Sequence, residues 1–173
     1  GNSNRLIRYY QDKTEKNDQT IYPEYNYGYG LALFKKRLYS QSINIFKDLH
    51  NSSPENITYT IALANAYIGS GKQSGVQTGL KILADTTRNK SYDLVLTATY
   101  AYALIQTGYI KKSIQLLEEY NKDNLKHPAI YKLLSTALGK NKELVKAHIA
   151  ESEYYYLKGM LLSLIHISEP TRL

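Results

Sequence analysis

The sequence predicts an all-α solenoid built from about four helix-turn-helix repeats. Residues 22–54, YPEYNYGYGLALFKKRLYSQSINIFKDLHNSSP, carry apolar residues at helical spacing in both halves, and Tyr39-Ser40 separates the halves. Segments of this kind recur about every 34 residues. A helix pair that is apolar on one face of each helix needs similar neighbours to bury that face, so the recurrence indicates a stacked array.

The composition is that of a folded chain. Its 173 residues suffice for one compact domain or one short solenoid. Hydrophobic residues make up 43% and charged residues 21%, which argues against wholesale disorder. Tyr contributes 18 residues, Phe two and Trp none, so we expect most aromatic positions to be filled by rings with a polar tip.

Several classes of protein are disfavoured. The absence of Cys excludes disulfides and thiolate metal sites but leaves the compartment open. No apolar run approaches the about 20 residues of a membrane span, so we expect a chain that does not span a membrane. It begins without Met or a signal peptide, which suggests a piece of a longer protein.

The net charge of +7 would suit a polyanion. The basic residues are nevertheless dispersed, as in Lys35-Lys36-Arg37 and Lys111-Lys112, and no nucleic-acid-binding motif is present. We therefore expect a solvated basic surface and no nucleic-acid partner.

The first full repeat begins at Pro23. Gly30 takes the small-residue position of its first helix and Ser42 that of its second. Phe46 takes the large apolar position of the second helix, and Pro54 closes the repeat. The two helices of each repeat are called helix A and helix B below.

The second repeat begins at Ile57, with Ala64 at the small position of helix A. In its helix B, Gly79 and Leu83 fall three positions late relative to Ser42 and Phe46. The sequence therefore predicts a three-residue insertion around Gln73–Val76, in the turn or at the start of the helix.

The third repeat begins near Leu94 and the fourth at Pro128, a residue that suits the first turn of a helix. The register of the third repeat is carried by Tyr100, Ala101, Leu104, Gly108, Ser113 and Leu117. Ala147 takes the small position of the last helix. That helix is predicted over Glu143–Lys158, with Gly159 as its stop.

The chain divides into three segments by these patterns. Residues 1–20 are predicted to be the end of a preceding helix and a polar connector, and residues 21–160 the solenoid. Residues 161–173 lose the repeat pattern, and SLIHISEPTR resembles vector or adaptor read-through. We expect this last segment to be a non-native tail.

A repeat of about 34 residues, with small residues at its eighth and twentieth positions and Pro near its end, resembles the tetratricopeptide repeat (TPR). A small residue on helix A allows helix B to approach within the about 8–10 Å of packed helices. The resemblance implies a right-handed superhelix with the A helices lining its concave face.

The segment LLSTALGKNKELVKAHIAESEYYYLKG supports a narrower resemblance. Its Ala147-His148, Glu151, Tyr154-Tyr155-Tyr156 and Leu157-Lys158-Gly159 resemble the C-terminal repeat region of BepA-like periplasmic zinc metallopeptidases. The resemblance covers about residues 21–160, and only this last segment is specific.

In that family, a peptidase domain with an HExxH motif precedes the repeats, and no HExxH occurs in this sequence. The resemblance therefore implies a non-catalytic, periplasmic protein-interaction region that serves outer-membrane protein quality control. Its partners would be outer-membrane protein segments, assembly partners and the protease domain itself. A free-standing TPR scaffold or chaperone adaptor is the alternative.

The sequence offers no catalytic or cofactor site. His148 and Glu151 share one helix face, but two ligands without a third make a poor metal site. The GSGK run at residues 69–72 lacks the first Gly and the following Ser or Thr of a phosphate loop, and a predicted helix precedes it. We therefore expect no enzymatic activity, no metal and no cofactor.

The TPR register predicts a peptide-binding groove on the A helices. Its residues are Tyr27, Leu31 and Lys35 from the first repeat, Ile61 and Asn65 from the second, Ala98 and Tyr102 from the third, and Lys132 and Thr136 from the fourth. Tyr offers contact area, Asn pairs with a peptide backbone, and Lys meets carboxylates. Alternatively, the tyrosines pack between repeats and the lysines only solvate the face.

Overall fold

The computed structural model describes residues 2–16, 23–123 and 126–168, which form helices and turns without a strand. The helices are α1 (Asn2–Lys16), α2 (Pro23–Lys35), α3 (Tyr39–Ser52), α4 (Ile57–Gly69), α5 (Gln73–Asn89), α6 (Leu94–Gln106), α7 (Ile110–Asp123), α8 (Pro128–Lys140) and α9 (Leu144–Ser168). The predicted all-α class is confirmed, and four helix pairs follow α1 in the predicted order.

The chain forms two compact units, Gly1–Thr86 and Thr87–Leu173. In the first unit, α1 packs on α2, α2 on α3, and α3 on α4. In the second unit, α6 packs on α7, α7 on α8, and α8 on α9. The A helices are also neighbours within each unit, α2 beside α4 and α6 beside α8. This nearest-neighbour packing is that of stacked helix pairs.

Two buried serines mark the small position of helix B. Ser42 Oγ donates to the carbonyl oxygen of Gly30 at 3.0 Å, and Ser113 Oγ donates to that of Ala101 at 3.0 Å. Both hydroxyls bridge the same two positions of their repeats, and both serines are fully buried. The shared hydrogen bond confirms the register of repeats one and three, because it requires the small residues to face each other.

In the second repeat, helix B approaches helix A still more closely. A Cβ on Gly79 would lie 2.6 Å from the carbonyl oxygen of Ala64 and 2.7 Å from the side chain of Ile68. Glycine is therefore required by the close approach of α5 to α4. Helix α5 has 17 residues, whereas α3 and α7 have 14 each. The predicted insertion lengthens the start of α5.

The large apolar position of helix B is buried in the first three repeats. Phe46, Leu83 and Leu117 are at most 1% exposed. The Phe46 ring packs on Gly30, where a Cβ would lie 2.5 Å from it. In the fourth repeat the same position holds Glu151, whose side chain is 37% exposed.

Side chains cap three of the A helices. Asn56 Oδ1 accepts from the backbone N–H of Thr58 at 3.0 Å and begins α4. Asp93 accepts from Leu96 N–H at 2.8 Å and begins α6. His127 Nδ1 accepts from Ala129 N–H at 3.2 Å, so this histidine caps α8. Each cap satisfies a backbone donor that the first turn leaves free.

The predicted stop at Gly159 is wrong. Helix α9 continues through Gly159 to Ser168. A single glycine inside a helix costs only about 1 kcal/mol relative to alanine, and Met160 and Leu161 that follow are good helix formers. The assignment of residues 161–173 as a non-native tail stays a prediction.

Two threonines at the fourth position of helix A provide a matched stability test. Thr60 Oγ1 donates to Asn56 O at 3.2 Å and lies 3.1 Å from His50 Nδ1. Thr97 Oγ1 is equally buried and has no hydrogen-bond partner among the described residues. We expect Thr97→Val to raise the free energy of unfolding by about 1 kcal/mol and Thr60→Val to lower it by about 1 kcal/mol. Urea denaturation measures both, and equal effects would contradict the assigned hydrogen bonds.

Candidate peptide-binding faces

The face of α2 and α4 in the first unit carries five of the predicted groove residues. Leu31 is 43% exposed and Lys35 is also exposed, so both are accessible on α2. Ile61 and Asn65 on α4 are half-buried. Lys35 has no ion-pair partner among the described residues, which leaves its ammonium group available to an acidic ligand.

Tyr27 belongs partly to the core. Its ring centroid lies 5.8 Å from that of Phe46 and 5.7 Å from that of Tyr59, and the side chain is half-buried. Burial raises the pKa of the Tyr27 phenol above its usual value, and nearby Tyr59 adds to the rise. One side of the Tyr27 ring therefore packs against neighbouring helices, as in the alternative interpretation that the tyrosines pack between repeats.

The face of α6 and α8 in the second unit presents one large exposed aromatic residue. Tyr102 on α6 is 56% exposed. Ala98 packs against the core of the unit. Thr136 is exposed, and its hydroxyl donates to the Lys132 carbonyl oxygen at 2.9 Å, within α8. Among the predicted groove residues of this face, Tyr102 is therefore the one with a large exposed apolar side chain.

Lys132 is already engaged by helix α9. Its Nζ lies 3.8 Å from Glu151 Oε1 and 5.2 Å from the centroid of the Tyr154 ring. Both interactions are partly solvent-exposed, so each stabilises only weakly. A ligand carboxylate at Lys132 would have to compete with Glu151. Sequence reasoning missed this pair because it depends on how α8 and α9 lie side by side.

A second lysine, in the segment before α8, also lies near a glutamate of α9. Lys126 Nζ lies 3.6 Å from Glu153 Oε2 and 5.9 Å from the centroid of the Tyr131 ring. The pKa of Lys126 is raised, chiefly by Tyr131 and also by Glu153. Charges from α9 therefore meet both of these lysines.

The GSGK run lies beside a cleft in the first unit. The cleft has a volume of about 340 Å³, and its lining includes Arg37, Lys72, Ser70 and Ser74 and no carboxylate. Helix α4 leads directly into Gly69, so the strand that a phosphate loop requires is absent from this described segment. The prediction that a helix precedes this run is confirmed.

The described histidines have structural roles or solvent-exposed positions. His50 lies in the last turn of α3 beside Thr60, and His148 Nδ1 lies 3.8 Å from Glu151 Oε2, a carboxylate that Lys132 also approaches. Within the residues that the structure describes, no three His, Asp or Glu side chains form a group able to hold a metal. His166 lies outside the described side chains. The same part of the chain contains no helix with the length and apolarity to cross a membrane.

Comparison with known proteins identifies the fold. No family model matches the chain, and no curated protein matches it significantly. Among solved structures, TTC0263, a thermophilic TPR protein from Thermus thermophilus, is similar with a TM-score of 0.67 and 16% identity, covering 94% of this chain and 86% of that chain. MamA 41-end from Desulfovibrio magneticus RS-1 is similar with a TM-score of 0.64 and 16% identity, covering 92% and 88%. The fold is therefore TPR-like, as the repeat register predicted.

Proposed function

We propose that this chain is a non-catalytic protein-interaction module that binds extended polypeptide segments on its helix-A faces. The observation that carries the proposal is the exposure of Leu31 and Tyr102, large apolar side chains on the A helices of the two units. Other large residues on these helices, such as Leu33 and Leu104, are buried. Exposed aromatic and aliphatic anchors on a rigid helical face are typical of protein-binding surfaces.

The neighbouring polar groups suit a peptide ligand. Asn65 is half-buried on α4 and carries both a donor and an acceptor, which match the N–H and C=O groups of an extended backbone. Lys35 supplies an exposed cation on the same unit for an acidic side chain or a C-terminal carboxylate. Because Lys132 is paired with Glu151, selectivity for acidic ligands is expected from Lys35.

We further propose that the module belongs to a periplasmic BepA-like zinc metallopeptidase. Its partners would then be outer-membrane protein segments, assembly partners and the protease domain. The support is the resemblance of residues 147–159 to the family. The alternative is a free-standing scaffold or chaperone adaptor. The reading frame upstream of Gly1 distinguishes them, since an HExxH motif supports the protease and a nearby start codon contradicts it.

The binding proposal is tested with a fluorescein-labelled peptide that corresponds to one transmembrane β-strand of an outer-membrane barrel. We expect saturable binding by fluorescence anisotropy, with the affinity of the first unit's face lowered about tenfold in Leu31→Ala and that of the second unit's face lowered about tenfold in Tyr102→Ala, as for moderate interface anchors. Gln115→Ala is the control, because Gln115 is exposed on a B helix. Unchanged affinity in both groove variants, with circular dichroism spectra like the wild type, would place binding elsewhere.

A further inference from the structure

The outward side of helix α9 differs from the same side of every other B helix. In register, the outward positions hold Ser40, Asn44, Lys47 and Asn51 in α3; Gln77, Lys81, Ala84 and Arg88 in α5; and Lys111, Gln115, Glu118 and Lys122 in α7. These side chains are mostly exposed, and Ala84 is half-buried. The corresponding residues of α9 are Val145, Ile149, Ser152 and Tyr156. A solvated polar surface is thus replaced by an apolar one in the last repeat.

The apolar surface extends along four turns of α9. Its large residues are Leu144, Val145, Ile149, Tyr155, Tyr156 and Met160, and each is between 48% and 75% exposed. His148, Ser152 and Gly159 lie among them at helical spacing, so this side of the helix contains no Asp, Glu, Lys or Arg. We call these nine residues the outer α9 face. Ala147 and Ala150 are buried on the opposite side of the helix, against the core of the second unit.

A helix that is apolar on two opposite sides is normally covered on both. From their exposed fractions, the six large residues together offer on the order of 700 Å² of surface, close to the roughly 800 Å² per partner that a standard stable interface buries. This exceeds the about 300–600 Å² of the largest apolar patch on a typical monomer. The size of the outer α9 face therefore fits one whole side of a dimer interface.

The charge distribution favours a second copy of the chain as the occupant. The chain carries a net charge of +7, so most pairings of its surface with itself would oppose like charges. The outer α9 face carries no formal charge when His148 is neutral, and two such faces meet without charge repulsion. A basic or acidic partner would find no complementary charge on this face.

The order of residues along the face is self-complementary. Leu144, Val145 and Ile149 form an aliphatic half, and Tyr155, Tyr156 and Met160 form a larger, mostly aromatic half, with Ser152 between them. An antiparallel two-fold contact centred on Ser152 sets each aliphatic half against the partner's aromatic half, as an isologous interface requires. A Cβ on Gly159 would meet no atom within 4 Å, so a partner helix can approach the backbone there.

We propose that two copies of this chain associate through their outer α9 faces, with the two α9 helices antiparallel. The proposal does not depend on peptide binding by the A helices. It uses residues 144–160 only, upstream of the segment predicted to be a non-native tail.

The test is sedimentation velocity of the full chain over a range of concentrations. The wild type is expected to shift from a 19.8 kDa monomer to a species of twice that mass. Ile149→Glu buries an unpaired charge in the interface, and we expect it to weaken association by at least about 30-fold, as at an interface hot spot. Gln115→Glu, at the same repeat position of α7, is the matched control and should associate as the wild type does.

A charge-pair experiment tests the antiparallel geometry. Tyr156→Lys alone should also weaken association. A mixture of the Ile149→Glu and Tyr156→Lys chains should restore it in part, because positions 149 and 156, three residues before and four residues after Ser152, lie on the same edge of the face and meet across the two-fold axis. The restored binding also shows that the variants are folded. A strictly monomeric wild type, an Ile149→Glu chain that still dimerises, or a monomer that floats with neutral phosphatidylcholine vesicles would each overturn the proposal.

Discussion

Replacing Phe46 with alanine is expected to lower the free energy of unfolding by about 3–5 kcal/mol. The Phe46 ring is 1% exposed, and it packs against the backbone of Gly30 and the ring of Tyr27. Gly30 has no side chain that could move into the space, and the Gly30 backbone is fixed within α2 and by its hydrogen bond from Ser42. The cavity would therefore stay largely open, which places the loss near the upper end for core truncations. Urea denaturation followed by circular dichroism at 222 nm measures it.

The matched control is Leu31→Ala, next to Gly30 on the same helix. Leu31 is 43% exposed, so its truncation should cost less than about 1 kcal/mol. The ratio of the two effects matters more than either value, since both variants remove a large apolar side chain from the same unit. A Phe46→Ala loss no larger than that of Leu31→Ala would mean that Phe46 does not fill the gap between α2 and α3.

The repeat register could be predicted because it depends on contacts between successive helices. Gly30 and Ser42, and again Ala101 and Ser113, are 12 residues apart, and their close approach leaves no room for larger side chains. That steric requirement is visible as small residues at fixed spacing. The insertion before Gly79 was predictable for the same reason. It shifts the small residue three positions along the sequence, and the small residue is still present.

The candidate site was less predictable from the sequence. It depends on the orientation of individual side chains and on contacts with residues of a second helix. Helical spacing puts Tyr27 on the groove side of α2, but the ring lies over Phe46 and Tyr59. Spacing likewise exposes Lys132 but carries no information about Glu151, which comes from another helix. Tyr102 is exposed, and its role in the groove stays a prediction.

The outer α9 face shows a different limit of sequence reasoning. The residues from Ala147 to Gly159 carry the family resemblance, and their spacing predicts a helix. Helical periodicity identifies an apolar stripe but does not show which of two stripes is buried. The small position at Ala147 indicates which stripe packs against helix A, and the structure adds that Ile149 and Tyr156 belong to a second stripe that stays exposed.

The second large effect is expected at Leu117, where alanine should cost about 2–5 kcal/mol. Leu117 is fully buried in the core of the second unit, among residues that include Ile130 and Leu134 of α8. The same repeat position in α9 is Glu151, and we expect Glu151→Ala to cost less than about 1 kcal/mol, because partly exposed ion pairs are individually worth about 0–1 kcal/mol. The Glu151 carboxylate forms two such ion pairs, at 3.8 Å from Lys132 Nζ and at 3.8 Å from His148 Nδ1.

The comparison of Leu117→Ala with Glu151→Ala separates repeat position from physical environment. Leu117 and Glu151 both lie four residues after the small residue of their B helix. If this repeat position alone determined stability, the two truncations would lower the free energy of unfolding by similar amounts. If burial determines it, only the leucine variant loses stability, and removing Glu151 chiefly frees the Lys132 ammonium group. Denaturation of the two variants under the same conditions decides this. A large loss at Glu151 would show that its contacts with α8 hold the last helix in place, and Lys132→Ala would then have to cause a loss of similar size.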